Sequence, residues 1–291
     1  MNLYLAGNAV NFNGSPDGGD HVYTASYILN PPVCTQVVPT ITSVTSAGDF
    51  GGLTNITAGT WLEIKGTNLA TGTRQWEDRD FLYANAPGSV DGVRATINDK
   101  PAFVFYVSPG QINVQAPTDT ITGVAVAVRV TNCQGTSALF NVQKTARAPG
   151  LQSNAARKVG GTQYVVALHS DLQTFVGNTN LIPGSGLNFR PAKPGDSITV
   201  YGIGFGDILP ARVPLTGVVV SEQNQLASSL NITLGSTVVT SVSYAGLSPG
   251  YVGLYQFNFV IPEVADGDHR LNMTLAGTAL QQPDVFLTVK R

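Results

Sequence analysis

Charge is scarce in this chain. Only 12% of the 291 residues are Asp, Glu, Lys or Arg, against ~25% in an average soluble domain, so surface polarity has to come from Ser, Thr, Asn and Gln. The formal net charge is -2 and Lys and Arg never form a run, which leaves no electrostatic footprint for a nucleic acid or an anionic membrane surface. No apolar stretch approaches the ~18–20 residues that span a bilayer, which argues against membrane insertion. Met1-Asn-Leu-Tyr-Leu has neither the basic start nor the apolar core of an export signal. Histidine occurs three times. His21, His169 and His269 fall in separate segments without an H-x-x-x-H pair, so neither a zinc site nor a Ser-His-Asp arrangement is indicated, and no metal or cofactor is expected.

What is abundant is turn chemistry and strand formers. There are 32 Gly and 17 Pro, and 43% of the chain is hydrophobic. Val, Ile and Thr dominate the periodic segments, the composition of short strands joined by tight turns. The expected fold class is all-β, and the length suits about two domains.

One stretch occurs twice. Tyr106-Val-Ser-Pro-Gly-Gln-Ile-Asn-Val-Gln-Ala-Pro117 is matched by the segment from Tyr244 to Pro262, with the same Tyr, Ser-Pro-Gly, Gln-apolar-Asn and Pro in order. Ala58 to Gly66 is likewise matched by Pro194 to Gly202. Gly195 stands 136 positions after Gly59, Gly250 stands 140 after Gly110, and Gln256 stands 145 after Gln111. The domains are therefore tandem copies, and the second carries an extension at Tyr251 to Tyr255. A type II turn, with Pro then Gly at its centre, explains Ser-Pro-Gly in both copies.

Taken in order, residues 1–33 alternate in two runs separated by Asn11 to Asp20, and predict a β-hairpin extension. The Asn/Asp/Gly-rich turn faintly resembles a calcium loop but lacks its terminal Glu, so it is read as an ordinary turn. Pro31-Pro32 is a linker. Residues 34–147 hold about seven strands, the count of an immunoglobulin-like sandwich, and residues 148–291 hold the second. The densest charge, Arg74 to Asp80, reads as a solvated loop. In an immunoglobulin-like strand order, Cys34 and Cys133 lie at one end of the first sandwich, and a disulfide between them is expected.

Pro39-Thr-Ile-Thr-Ser-Val through Gly59-Thr-Trp-Leu-Glu-Ile-Lys-Gly-Thr-Asn-Leu69 resembles a TIG/IPT-type immunoglobulin-like domain. Over about 250 residues, the paired segments are similar to the C-terminal region of exported acidobacterial (Solibacter-type) proteins. Gly7-Asn-Ala-Val-Asn-Phe-Asn-Gly14 and Gly19-Asp-His-Val-Tyr-Thr-Ala25 resemble the closing strands of a reeler-like extracellular domain. These resemblances imply a secreted or cell-surface, multidomain protein of which this chain is a part, and they supply no catalytic residues.

Three functions follow as expectations. The first is a non-catalytic structural or interaction module, a spacer, adhesion or assembly unit that meets a cell-surface protein or joins its own copies through edge strands. The second is binding of a polysaccharide through exposed aromatics, with Trp61, Trp76, Tyr244, Tyr251 and Tyr255 as stacking rings and Gln256 and Asn258 as hydrogen-bonding amides. The plain alternative for the amide rows, Gln111 to Gln115 included, is that they satisfy backbone groups of adjoining loops or of the other domain. The third, remote, is a serine esterase, since Gly246-Leu-Ser-Pro-Gly250 matches G-x-S-x-G. Pro249 lacks the N–H that an oxyanion hole needs after the Ser, and strands flank the motif on both sides, so Ser248 reads as a turn residue.

Overall fold

The computed structural model describes residues 2–9, 21–28, 34, 37–211 and 215–291. They divide into two compact units, Met1–Thr35 and Gln36–Arg291. In the first, Asn2–Ala9 pairs antiparallel with His21–Ile28, the expected hairpin. Its turn, with the calcium-loop resemblance, and the Pro31-Pro32 linker lie outside the described residues.

The second unit contains β-strands and three short 3-10 turns, and no α-helix among the described residues. Its strands build two sandwiches, each around its own apolar core. One sheet of the first sandwich runs in the order Thr40–Ser46, Trp61–Thr67, Gln111–Gln115, Phe103–Val107, Arg74–Gln75, and the other runs Asn55–Ile56, Phe140–Lys144, Val124–Thr131, Arg94–Ile97, Lys100–Pro101. Period-2 alternation decides which side chains fill the space between them. Leu62, Ile64, Ile112 and Val114 are fully buried, while Trp61, Glu63, Gln111 and Asn113 stand half-buried on the outer face.

In the second sandwich the larger sheet runs Phe189–Arg190, Phe175–Val176, Ala167–His169, Ser197–Ile203, Tyr255–Val260, Val242–Leu247, with Gly150–Leu151 added on Ser197–Ile203. It faces a sheet centred on Gly267–Leu275, flanked by Leu230–Leu234 and Val285–Val289.

The duplication holds residue by residue. Lys65 faces Gln111 and Glu63 faces Asn113; at the 136- and 145-residue offsets, Tyr201 faces Gln256 and Thr199 faces Asn258. Both copies place a β-bulge at the same point, after Val104 in the first and after Val242 in the second. Gly66 and Gly202 also correspond. A Cβ on Gly66 would stand 2.0 Å from the Thr40 carbonyl oxygen, and one on Gly202 would stand 2.9 Å from that of Gly150. Each glycine gives room for the opening strand of its sandwich to cross.

Two expectations need correction. Gly250 has the positive φ of 83° that a type II turn requires, but Gly110 is not among the glycines with positive φ. In the first copy the Ser108 hydroxyl instead accepts the Gln111 N–H at 3.0 Å and closes the turn. The charged loop is also not merely solvated. Arg74–Gln75 forms an edge strand on Phe103–Val107, and Arg74 is paired with Asp80 at 2.6 Å and Asp91 at 3.0 Å. Arg74 and the Glu77 N–H together hold the Asp80 carboxyl at about 2, and the segment delivers Trp76 to the outer face of the sheet.

Candidate functional site

Tyr251, the first residue of the extension, is the most exposed aromatic side chain on the second sandwich, at 55%. Its backbone is fixed from both sides. The Gly250 N–H donates to the Val220 carbonyl at 2.7 Å, the Val220 N–H donates to the Tyr251 carbonyl at 3.1 Å, and the Ser248 N–H donates to the Leu254 carbonyl at 2.7 Å. The extension so held lies against the first sandwich, where the Trp61 indole N–H donates to the Val252 carbonyl at 3.0 Å.

Four rings of the first sandwich meet there. Trp76 packs edge-on to Trp61 at 5.6 Å, to Phe105 at 5.0 Å and to Phe81 at 4.9 Å, and Trp61 packs edge-on to Phe105 at 5.8 Å. This edge-to-face arrangement is one that the ring quadrupole favours. Phe105 follows the buried Val104 and so stands on the outer face, and it sits at the bulge: Val104 and Tyr106 pair with consecutive residues of the neighbouring strand, leaving Phe105 between them unpaired. A bulge of this kind re-aims a side chain. The Phe105 carbonyl also accepts the Trp76 backbone N–H at 2.7 Å.

Two hollows flank Tyr251. One, of about 590 Å³, is walled by Trp61, Trp76 and Phe105, by the Gly48–Phe50 turn, and by Glu63, Gln111 and Asn113. The other, of about 530 Å³, is lined by Trp76, Phe81, Tyr83, Glu77 and Asp78. Trp76, Tyr251 and Val252 belong to both. Inside the first, Gln111 Nε2 donates to Asn113 Oδ1 at 2.8 Å, and among the described residues Gln111 Oε1 and the Asn113 Nδ2 hydrogens have no further hydrogen-bond partner. The pattern of rings with a few placed polar groups is that of a small-molecule site. In the second sandwich the positions equivalent to Trp61, Glu63 and Phe105 are Ser197, Thr199 and Ser243, so the rings and the carboxylate are not repeated there.

The other predicted site residues lie elsewhere. Tyr255 is 2% exposed and packs on Phe205 at 5.6 Å, with its hydroxyl donating to the Gly206 carbonyl; it is a core residue and cannot stack on a ligand. Gln256 donates to Asn258 Oδ1 at 3.0 Å and accepts the Ser248 hydroxyl at 2.8 Å, while Asn258 also accepts the Thr199 hydroxyl at 3.0 Å. These two amides serve the sandwich itself. The Tyr244 hydroxyl donates to the Leu247 carbonyl at 2.6 Å and is likewise occupied. Gln115, completely buried, donates to the Gly59 carbonyl and accepts the Gly217 N–H at 2.7 Å. Of the residues raised from the sequence, Trp61, Trp76 and Tyr251 come together with the Gln111 and Asn113 amides, and Glu63, Phe105 and Phe81 join them without having been singled out.

Ser248 is 2% exposed and its hydroxyl proton is committed to Gln256. Neither His169, which is bonded to Arg190, nor His269, which is bonded to the Ala265 carbonyl, forms a hydrogen bond with it. No cluster of three or more metal-ligating side chains occurs among the described residues. No helix among them is long and apolar enough to cross a membrane.

Residues 39–143 match the IPT/TIG domain family. This part of the chain is a TIG/IPT domain. No curated protein matches the chain. Among solved structures, a surface glycan-binding protein of Prevotella bryantii is 13% identical, with 86% of this chain and 41% of that chain covered and a TM-score of 0.25. The SGBP-B protein of the Bacteroides ovatus mixed-linkage glucan utilization locus, solved with a mixed-linkage heptasaccharide, is 12% identical over 99% of this chain and 52% of that chain, with a TM-score of 0.36. Domains 5–6 of the S-layer protein SbsC are 9% identical over 87% of this chain and 100% of that chain, with a TM-score of 0.24. The chain thus spans about half or less of the two glycan-binding proteins, and at these TM-scores none of the likenesses bears on function.

Proposed function

We propose that this chain is a non-catalytic interaction module of an exported protein and that the Trp61–Trp76–Tyr251 cleft is its carbohydrate-binding surface. The observation that carries the reading is the pairing, in one open cleft, of partly exposed Trp76 and Tyr251 rings with the Gln111, Asn113 and Glu63 polar groups. A pyranose presents apolar C–H faces and a rim of hydroxyls. Rings bury the faces, and amide and carboxylate groups exchange hydrogen bonds with the rim, so a site for it needs both kinds of side chain close together. The scarcity of charge and the resemblance to exported acidobacterial proteins support an extracellular setting. The buried, amide-bonded state of Ser248 supports a role without hydrolysis.

The test is retention on insoluble and soluble polysaccharides. Wild type is expected to be retained by at least one polymer, and Trp76→Ala and Tyr251→Ala, with unchanged circular dichroism, are expected to lose retention. Equal retention of the wild type and both variants would remove the cleft from the function.

A further inference from the structure

We infer that the cleft takes an uncharged glycan chain and turns away polyuronates, an inference that rests on the cleft being the sugar site. Its two hollows contain four carboxylates, Asp49 and Glu63 in one and Glu77 and Asp78 in the other, and among the described residues no Lys, Arg or His lines either of them. Glu63 is paired with Lys65 at 2.7 Å and Glu77 with Arg79 at 3.0 Å, but both cations are largely exposed and line neither hollow. No ion pair to Asp49 or Asp78 is formed among the described residues. A polymer with a carboxylate on every sugar would bring like charge against these groups at each end of the cleft, and like charges placed together at an interface oppose association strongly. An uncharged chain meets no such opposition, and the same carboxylates accept its hydroxyl protons.

The shared wall gives the chain its path. Because Trp76, Tyr251 and Val252 line both hollows, a chain that fills one continues into the other across the Tyr251 ring. Affinity for an uncharged oligosaccharide series should therefore rise with length until both hollows are filled.

The experiment is affinity electrophoresis of the full chain in gels containing an uncharged glucan, an uncharged mannan or polygalacturonate, repeated with Trp76→Ala and with Glu77→Gln/Asp78→Asn. Retention by an uncharged polymer is expected, abolished by Trp76→Ala and unchanged from about 0.01 M to about 1 M salt, where the Debye length falls from ~30 Å to ~3 Å. Polygalacturonate is expected to bind at least ~10-fold more weakly, a factor worth one decade in Kd, and the Glu77→Gln/Asp78→Asn variant is expected to narrow that gap. Retention by polygalacturonate that Trp76→Ala abolishes would overturn the charge selection while leaving the sugar site standing. Retention by none of the polymers, or retention indifferent to Trp76→Ala, would overturn the site and the inference together.

Discussion

The Trp61 indole N–H donates to the Val252 carbonyl at 3.0 Å, joining a strand of the first sandwich to the extension that distinguishes the second. The bond fixes one wall of the cleft, and its donor and acceptor come from different copies of the repeat. Trp61→Phe keeps a ring beside Trp76 and Phe105 but leaves the Val252 carbonyl without this donor. The expected cost is about 1 kcal/mol, the usual worth of a hydrogen bond whose remaining partner is poorly hydrated. Urea denaturation should show a lower midpoint with an unchanged slope, and an unchanged midpoint would mean that the contact does not hold the junction.

Gly253 sits beneath the same wall. Its φ is +64°, and a Cβ there would stand 1.9 Å from Gln115 Nε2, the amide that ties Gly59 to Gly217. Gly250 has a φ of +83° with nothing within 4 Å of a Cβ. Gly250→Ala should therefore cost only the conformational penalty of about 1–2 kcal/mol, whereas Gly253→Ala adds overpacking and should cost about 3 kcal/mol or more. Equal midpoints for the two variants would contradict the close approach of the sandwiches at Gln115.

Much of this was legible in the sequence, and what was not has a common cause. The offsets between repeats, legible in the sequence, carry each cross-strand pair of the first copy onto its counterpart in the second, because strand register follows the period-2 pattern within each copy. Tyr251 stood out as part of an insertion with nothing to match it. Tyr255 is buried rather than exposed, and the sequence carries the signal: it lies two residues before Phe257 and four before Phe259, on the row that alternation buries. The partners of Trp76 could not be read. Alternation after the buried Val104 puts Phe105 on the outer face, but which rings it meets there depends on the short edge strand that brings Trp76 to it, and Gln115, Gly217 and Gly253 meet only when one sandwich docks on the other. No local pattern in either copy encodes that docking.

The proposed pairing of Cys34 with Cys133 gives a further measurement. Peptide mapping without reduction should recover the two cysteines in one linked species. The bridge would close a loop of ~100 residues, for which chain entropy sets an upper stabilisation of about 4–5 kcal/mol. Cys133→Ser should lose about 2–4 kcal/mol of that. A reducing agent should lower the wild-type midpoint and leave the variant's unchanged. Two free thiols in the native protein would end the proposal.

Asp119 and Lys144 form a buried ion pair at 3.3 Å, with both side chains almost fully covered. Burial alone would push the Asp119 carboxyl up, but the Ile121 N–H, the Asn98 amide and Lys144 outweigh it and hold the group at about 2. Lys144 has the Asp119 carboxylate and carbonyl to offset its own burial. That falls short, and desolvation leaves its pKa lowered. Asp119→Asn therefore strands a buried cation and should cost about 3 kcal/mol near neutral pH, the lower part of the range for breaking such a pair. Two pH effects follow from linkage. A carboxyl depressed on folding stabilises above its ordinary value of 3.8 and loses that contribution as pH falls toward about 2, so the gap between wild type and Asp119→Asn should close over that window. A lysine depressed on folding binds fewer protons folded than unfolded, so the variant should recover stability as pH rises in the alkaline range and Lys144 loses its charge. Urea midpoints measured across pH decide both, and a gap that stays constant from acid to alkali would show that the pair contributes nothing electrostatic to the fold.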